Sequence, residues 1–169
     1  MDIFRDLLFN FPLICAGSGW LLAQIVKVFT GVFKMQQFSL VALLWGSGGM
    51  PSSHTAAVCS LCVGCALSEG LMSVSFAISF VLCAIVMRDA TGVRRETGEQ
   101  AKILNRIMEL LTKQAETEEE KGKDKEELFH ELKTLVGHTP FQVAVGAVIG
   151  IALPFLMCLI PAYSMYQPW

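Results

Sequence analysis

The chain has 169 residues, a formal net charge of -2, 53% hydrophobic residues and only 17% charged residues. A soluble domain carries about 25% charged residues. Four long windows contain no Asp, Glu, Lys or Arg: residues 7–26, 35–68, 70–87 and 139–169. Because a helix crosses a bilayer with about 20 apolar residues, the composition predicts a polytopic membrane protein. It excludes a disordered, disulfide-stapled or nucleic-acid-binding domain.

The charge-free windows predict an all-α membrane helical bundle with about four spanning helices. The helices are expected over residues 7–27, from Ser52 or Ser53 to Glu69, over 71–88 and over 140–160. The apolar stretch Phe38–Trp45 is too short to span and is expected to dip into the membrane, where protein must cover its backbone.

A charged insertion at residues 88–138 interrupts the single membrane domain expected over residues 1–169. Apolar residues at spacings of three and four predict a helix from Arg88 to about Thr117, and a second helix is expected at 125–136. The pair predicts an αα-hairpin outside the membrane. Of the 13 basic residues, 12 lie in the loops on this face. The positive-inside rule therefore places the face in the cytoplasm, with the bundle in the cell membrane.

The six cysteines all lie in apolar stretches, where Cys packs as a small hydrophobic residue. The spacing of Cys59, Cys62 and Cys65 is similar to that of cluster ligands, but no fourth ligand lies nearby in the sequence. The sequence therefore predicts neither a metal nor another cofactor.

Two polar segments, residues 48–55 and 137–140, interrupt otherwise apolar sequence. Each places a histidine, His54 or His138, at the amino end of a predicted helix. Unpaired backbone N–H groups and the helix dipole make such ends suitable for anions. A purely structural cap accounts for the neighbouring Ser, Thr and Pro residues but not for two histidines. The pattern therefore favours a phosphate site.

Two arginines belong to the same predicted face. Arg94 and Arg95 lie between Gly92 and Gly98, and a guanidinium group suits bidentate phosphate binding. The third histidine, His130, lies in a charged amphipathic segment and is expected to be solvated.

Three motifs in this order resemble the divergent type-2 phosphatidic acid phosphatase family, which is related to acid phosphatases and vanadium-dependent haloperoxidases. The motifs are Gly-Gly-Met-Pro-Ser-Ser-His at 48–54, Arg-Asp-Ala-Thr-Gly-Val-Arg-Arg-x-x-Gly-Glu-Gln-Ala at 88–101 and Gly-His-Thr-Pro-x-x-Val at 137–143. The resemblance covers nearly the whole chain.

The resemblance also implies roles for individual residues. His138 would attack phosphorus and form a phosphohistidine, while His54 would protonate the leaving alcohol and then activate water. The residues implied or inferred to bind phosphate are Lys27, Lys34, Ser52, Ser53, Arg94 and Arg95. Gln142 stands where the wider superfamily has an Asp, so Asp89 or Glu99 is expected to supply the orienting carboxylate for His138.

The sequence thus predicts a membrane-embedded phosphatase-like protein that hydrolyses a phosphate monoester or diphosphate, with a lipid-linked substrate expected. Two alternatives stay open: a non-catalytic binder or transporter of phosphorylated lipid, and a membrane scaffold that docks a partner through its cytosolic hairpin. The expected partners are a phosphorylated lipid or small phosphate and membrane lipids, but not nucleic acid. The small-residue pair Gly146 and Gly150 predicts close helix packing within the chain or between protomers. Since the related phosphatases generally use six spans, a homodimer is expected.

Overall fold

The computed structural model describes residues 7, 9–32, 50–117 and 138–166. In these ranges the chain forms five longer helices and one short 3₁₀ helix, and no strand. They are α1 (Phe11–Val32), α2 (Ser53–Glu69), α3 (Val74–Thr91), α4 (Val93–Thr117), α5 (Pro140–Cys158) and the 3₁₀ helix Pro161–Tyr166. The predicted all-α class is confirmed.

Three apolar stretches are long enough to cross a membrane: Phe11–Thr30, Val74–Leu111 and Pro140–Cys158. They carry many large apolar side chains that no other part of the described chain covers, such as Phe29, Ile78 and Val148. In a water-soluble protein such extensive apolar exposure would mark an interaction surface. Here it is the surface that contacts lipid, and the chain is a membrane protein.

Helix α2 lies in the middle of the bundle and packs against α1, α3 and α5. Glycines allow its closest contacts: a Cβ atom at Gly150 would lie 2.4 Å from the carbonyl oxygen of Ala56, and one at Gly146 would lie 2.5 Å from that of Ser52. The Ser60 hydroxyl donates a hydrogen bond of 2.9 Å to the Gly150 carbonyl. The small-residue pair on α5 therefore brings α5 against α2 within one chain.

Local capping explains where these helices begin. Ser52 caps α2, and Thr139 caps α5 with Pro140 at the first helical position, as expected for residues that accept hydrogen bonds from first-turn N–H groups. Two other boundaries differ from the prediction. Helix α1 continues past Lys27 to Val32, and Gly92 separates α3 from α4 where the sequence predicted one helix from Arg88.

Several predicted features lie outside the described residues. They are the membrane-dipping stretch 38–45, Lys34, the second hairpin helix at 125–136 and His130.

Candidate active site

Helices α2, α3 and α5 are tied together at one end of the bundle by backbone hydrogen bonds. The Ser52 N–H donates to the Gln142 carbonyl at 3.1 Å, and the His138 N–H donates to the Ala90 carbonyl at 3.0 Å. The first bond joins the start of α2 to the first turn of α5. The second fixes His138, two residues before α5, against the last turn of α3.

Helix α1 contributes a buried cation to the same end. The side chain of Lys27 is 7% exposed. One turn further along, the Thr30 hydroxyl donates to the Met50 carbonyl at 2.5 Å, which joins α1 to the segment that leads into α2. The charge of Lys27 acts on the rings of both His54 and His138. A lysine from α1 and histidines from two other segments of the chain thus lie close together.

The His138 ring is buried and neutral at pH 7. The residue is 6% exposed, and burial is the largest cause that lowers the pKa of its imidazole. A hydrogen bond to Gln142 raises this pKa, whereas the positive charges of Lys27, His54 and Arg94 lower it further. The hydrogen bonds that join the ends of α1, α2, α3 and α5 place these residues at the same end of the bundle.

His54 differs from His138 in exposure: it lies in the first turn of α2 with its side chain exposed. The backbone N–H groups of Ser53 and His54 belong to that first turn, where no carbonyl of the preceding turn is available to accept from them. Such groups favour an anion. The site therefore combines a buried histidine with an accessible one beside a helix amino terminus.

Ser52 has a structural role that the sequence did not predict. Its hydroxyl oxygen accepts from the Thr55 N–H at 3.4 Å and from the Thr55 hydroxyl at 2.9 Å, and its own N–H is bonded to α5. Ser52, which is fully buried, is thus used to cap α2 and to hold α2 against α5. Of the two predicted serines, Ser52 therefore has its hydroxyl and its N–H engaged in capping and helix packing.

The two arginines predicted to bind phosphate are not equivalent. Arg94 lies two residues after Gly92, in the first turn of α4, and its charge acts on both histidines. Arg95 is also exposed but lies about 100° further around the helix. Arg94 is therefore the guanidinium that the fold brings to the histidines.

The predicted orienting carboxylates are bonded to cations. Asp89 accepts a hydrogen bond of 2.5 Å from Arg94 Nε, and Glu99 accepts one of 3.0 Å from Lys102. The group that the structure places at Nδ1 of His138 is instead the Gln142 side-chain oxygen, at 3.2 Å. Both acids are thus paired with nearby basic side chains of α4, and the group beside Nδ1 of His138 is an amide.

The described residues contain no group of three or more His, Cys, Asp or Glu side chains arranged to hold a metal ion. One cysteine contact was not predicted from the sequence: the sulfur of Cys83 on α3 lies 3.4 Å from that of Cys59 on α2. The two are 24 positions apart, and both occur in apolar sequence without a local signal of contact.

The fold and this end of the bundle define a helical membrane protein in which two histidines, a buried lysine and an arginine meet beside helix amino ends. A sequence model of the Divergent PAP2 family matches residues 8–153, and the chain belongs to this family. It is 38% identical over 162 residues to the uncharacterized membrane protein YuiD of Bacillus subtilis (strain 168). The aligned region covers 90% of this chain and 96% of that protein. No solved structure matches the chain. The family resemblance read from the three motifs is confirmed.

Proposed function

We propose that this protein is a membrane-embedded phosphatase that hydrolyses a phosphate monoester or diphosphate through a phosphohistidine on His138. The observation that carries the proposal is the set of hydrogen bonds that brings the chain segments of Lys27, His54 and His138 to one end of the bundle. Arg94 lies in the first turn of α4, close after the α3 end to which His138 is bonded. Phosphoryl transfer needs a nucleophile, a proton donor and fixed positive charge around the equatorial oxygens. These four side chains supply all three.

In the first step, the Nε2 lone pair of His138 forms a bond to phosphorus while the bond from phosphorus to the leaving oxygen breaks. The leaving oxygen keeps that electron pair and takes a proton from His54. In the second step, the neutral His54 removes a proton from water, whose oxygen attacks phosphorus. The bond between phosphorus and Nε2 breaks, and inorganic phosphate leaves with the His138 ring restored.

Positive groups are arranged around the proposed phosphate. Lys27 is largely shielded from water. In such a buried position, a charge acts on a neighbouring anion more strongly than in solution. Arg94 adds a guanidinium group held at its Nε by Asp89. The N–H groups of Ser53 and His54 add fixed dipoles at the amino end of α2. Such preorganised charge is the main source of stabilisation for a phosphoryl-transfer transition state.

We infer a lipid-linked substrate and a site that faces the cytoplasm of the cell membrane. The substrate class is supported by the position of the site at one end of an apolar bundle whose outer surface contacts lipid. The orientation is supported by the distribution of the basic residues, since 12 of the 13 lie between Lys27 and Lys133. A homodimer remains a prediction, to be tested by the mass of the protein in nanodiscs.

The proposal is tested by measuring phosphate release from purified protein against a panel of lipid phosphates, lipid diphosphates and soluble phosphates. His138→Ala and His54→Ala should each lower the rate by about 100-fold or more, since general acid–base catalysis alone contributes about 10²–10⁴-fold. His130→Ala, which removes the histidine expected to be solvated, should leave the rate unchanged. Binding of a phosphorylated lipid without release would instead favour the binder or transporter.

A further inference from the structure

We propose that Gln142 is the positioning residue of this site: its side-chain oxygen holds the His138 ring in the tautomer that is protonated at Nδ1, and so leaves Nε2 as the nitrogen with a free lone pair. The use of that lone pair as a nucleophile rests on the proposed function. The tautomer itself does not, and it can be measured without any substrate.

The tautomer follows from which atoms can donate. The Gln142 side-chain oxygen accepts a hydrogen bond of 3.0 Å from the Thr139 backbone N–H, and a backbone N–H is always a donor. This bond sets which end of the amide faces the ring. The same oxygen lies 3.2 Å from Nδ1 of His138. Since a carbonyl oxygen only accepts, Nδ1 must carry the proton.

Hydrogen bonds hold both the backbone and the side chain of Gln142 in place. Its N–H donates to the Thr139 hydroxyl at 3.3 Å, which completes a capping box with the bond from the Thr139 N–H. Its carbonyl accepts from the Ser52 N–H at 3.1 Å, and the His138 backbone is anchored to the Ala90 carbonyl. The amide and the ring thus have little freedom to move apart, because the first turn of α5 and its two neighbouring helices hold both.

An amide differs from a carboxylate in what it does for the ring. Both accept the Nδ1 proton and set the direction of the imidazole, but only a carboxylate adds a negative charge that stabilises imidazolium. With Gln142, the buried ring stays neutral and its tautomer is still defined. We expect Gln142→Glu to keep the tautomer and the capping box while raising the pKa of His138.

The test is ¹⁵N NMR of full-length protein in nanodiscs, labelled at the histidine ring nitrogens, with the His138 signals assigned by their loss in His138→Ala. In the wild type, Nδ1 should be protonated and Nε2 unprotonated across neutral and mildly alkaline pH. Gln142→Leu removes the acceptor and should let the proton move to Nε2 in most molecules. In Gln142→Glu the proton should stay on Nδ1 and the titration midpoint of the ring should rise.

Thr139→Ala is the matched control, because it removes the hydroxyl half of the capping box but leaves the Thr139 N–H and the Gln142 oxygen in place. It should lower stability without changing the tautomer. If Gln142→Leu does not fold, the wild-type tautomer and the raised midpoint of Gln142→Glu still decide the question. A wild-type ring protonated at Nε2, or an unchanged midpoint in Gln142→Glu, overturns the proposal.

Phosphate release from the same samples separates this inference from the proposed function. Gln142→Leu should lower kcat by at least about 10-fold with little change in KM, since the wrong tautomer removes the nucleophile but not the bound phosphate. Nδ1 protonation without any release would refute the phosphatase and leave the positioning role standing. Release from protein whose His138 is protonated at Nε2 would do the reverse.

Discussion

Gly146→Ala should separate α5 from α2 and destabilise the protein. The new Cβ would lie 2.5 Å from the Ser52 carbonyl oxygen, so that oxygen must retreat by about 0.9 Å to reach the 3.4 Å of an ordinary contact. Overpacking of this kind costs about 1–3 kcal/mol. Gly17→Ala is the matched control on α1, because a Cβ there meets nothing within 4 Å. Both substitutions gain the same helix propensity of about 0.5–1 kcal/mol, so their difference in stability isolates the overpacking.

Thermal unfolding can be followed with a dye that becomes fluorescent on reacting with thiols, since all six cysteines are buried and none is in a disulfide. For a chain of this size, 1 kcal/mol corresponds to about 2–4 °C in Tm. Gly146→Ala should therefore unfold about 2–12 °C below Gly17→Ala. Equal Tm values for the two variants would refute the close approach of α5 to α2 and the packing argument built on it.

Three further predictions concern charge and orientation. Lys27→Met should weaken vanadate binding at least about 10-fold, a loss of about 1.4 kcal/mol. The control Lys102→Met, which removes the exposed partner of Glu99, should leave the affinity unchanged. Equal affinities of the two variants for vanadate would show that Lys27 is not part of the site. Because burial lowers the pKa of His138 below its usual 6.5, the neutral ring persists to lower pH than in a free histidine, and kcat/KM should fall only as pH drops through the lowered pKa. An acid limb centred above 6.5 would contradict this. A cysteine introduced by Lys123→Cys should react with an impermeant maleimide only in permeabilised cells, and labelling of intact cells would invert the orientation.

The starts of two helices could be predicted because their signals are local. Ser52 and Thr139 are capping residues that directly precede apolar sequence, and α2 and α5 begin immediately after them. The end of α1 could not be predicted in the same way, since a charged residue usually marks the end of a membrane span. Lys27 instead points into the bundle, and burial of a side chain depends on helices that are distant in the sequence.

In the candidate site, too, the features with a local sequence signal could be predicted and those that depend on distant residues could not. The two histidines were predicted from their positions at helix starts, and Gln142 lies one helical turn after His138, within reach of its ring. The two acids have basic partners close by in the sequence: Arg94 is five residues from Asp89, and Lys102 is three residues from Glu99. The anchoring of His138 on the Ala90 carbonyl has no sequence signal, since every residue carries a carbonyl.

The most direct test of the account is to trap the phosphorylated protein. Purified protein is mixed with a ³²P-labelled lipid diphosphate, quenched in alkali after milliseconds to seconds, and digested to locate the label. The account predicts a label that is stable in alkali, lost in acid and attached to His138, and that is absent from His138→Ala but present in His130→Ala. Phosphate release that continues in His138→Ala, or a label on another residue, would contradict it.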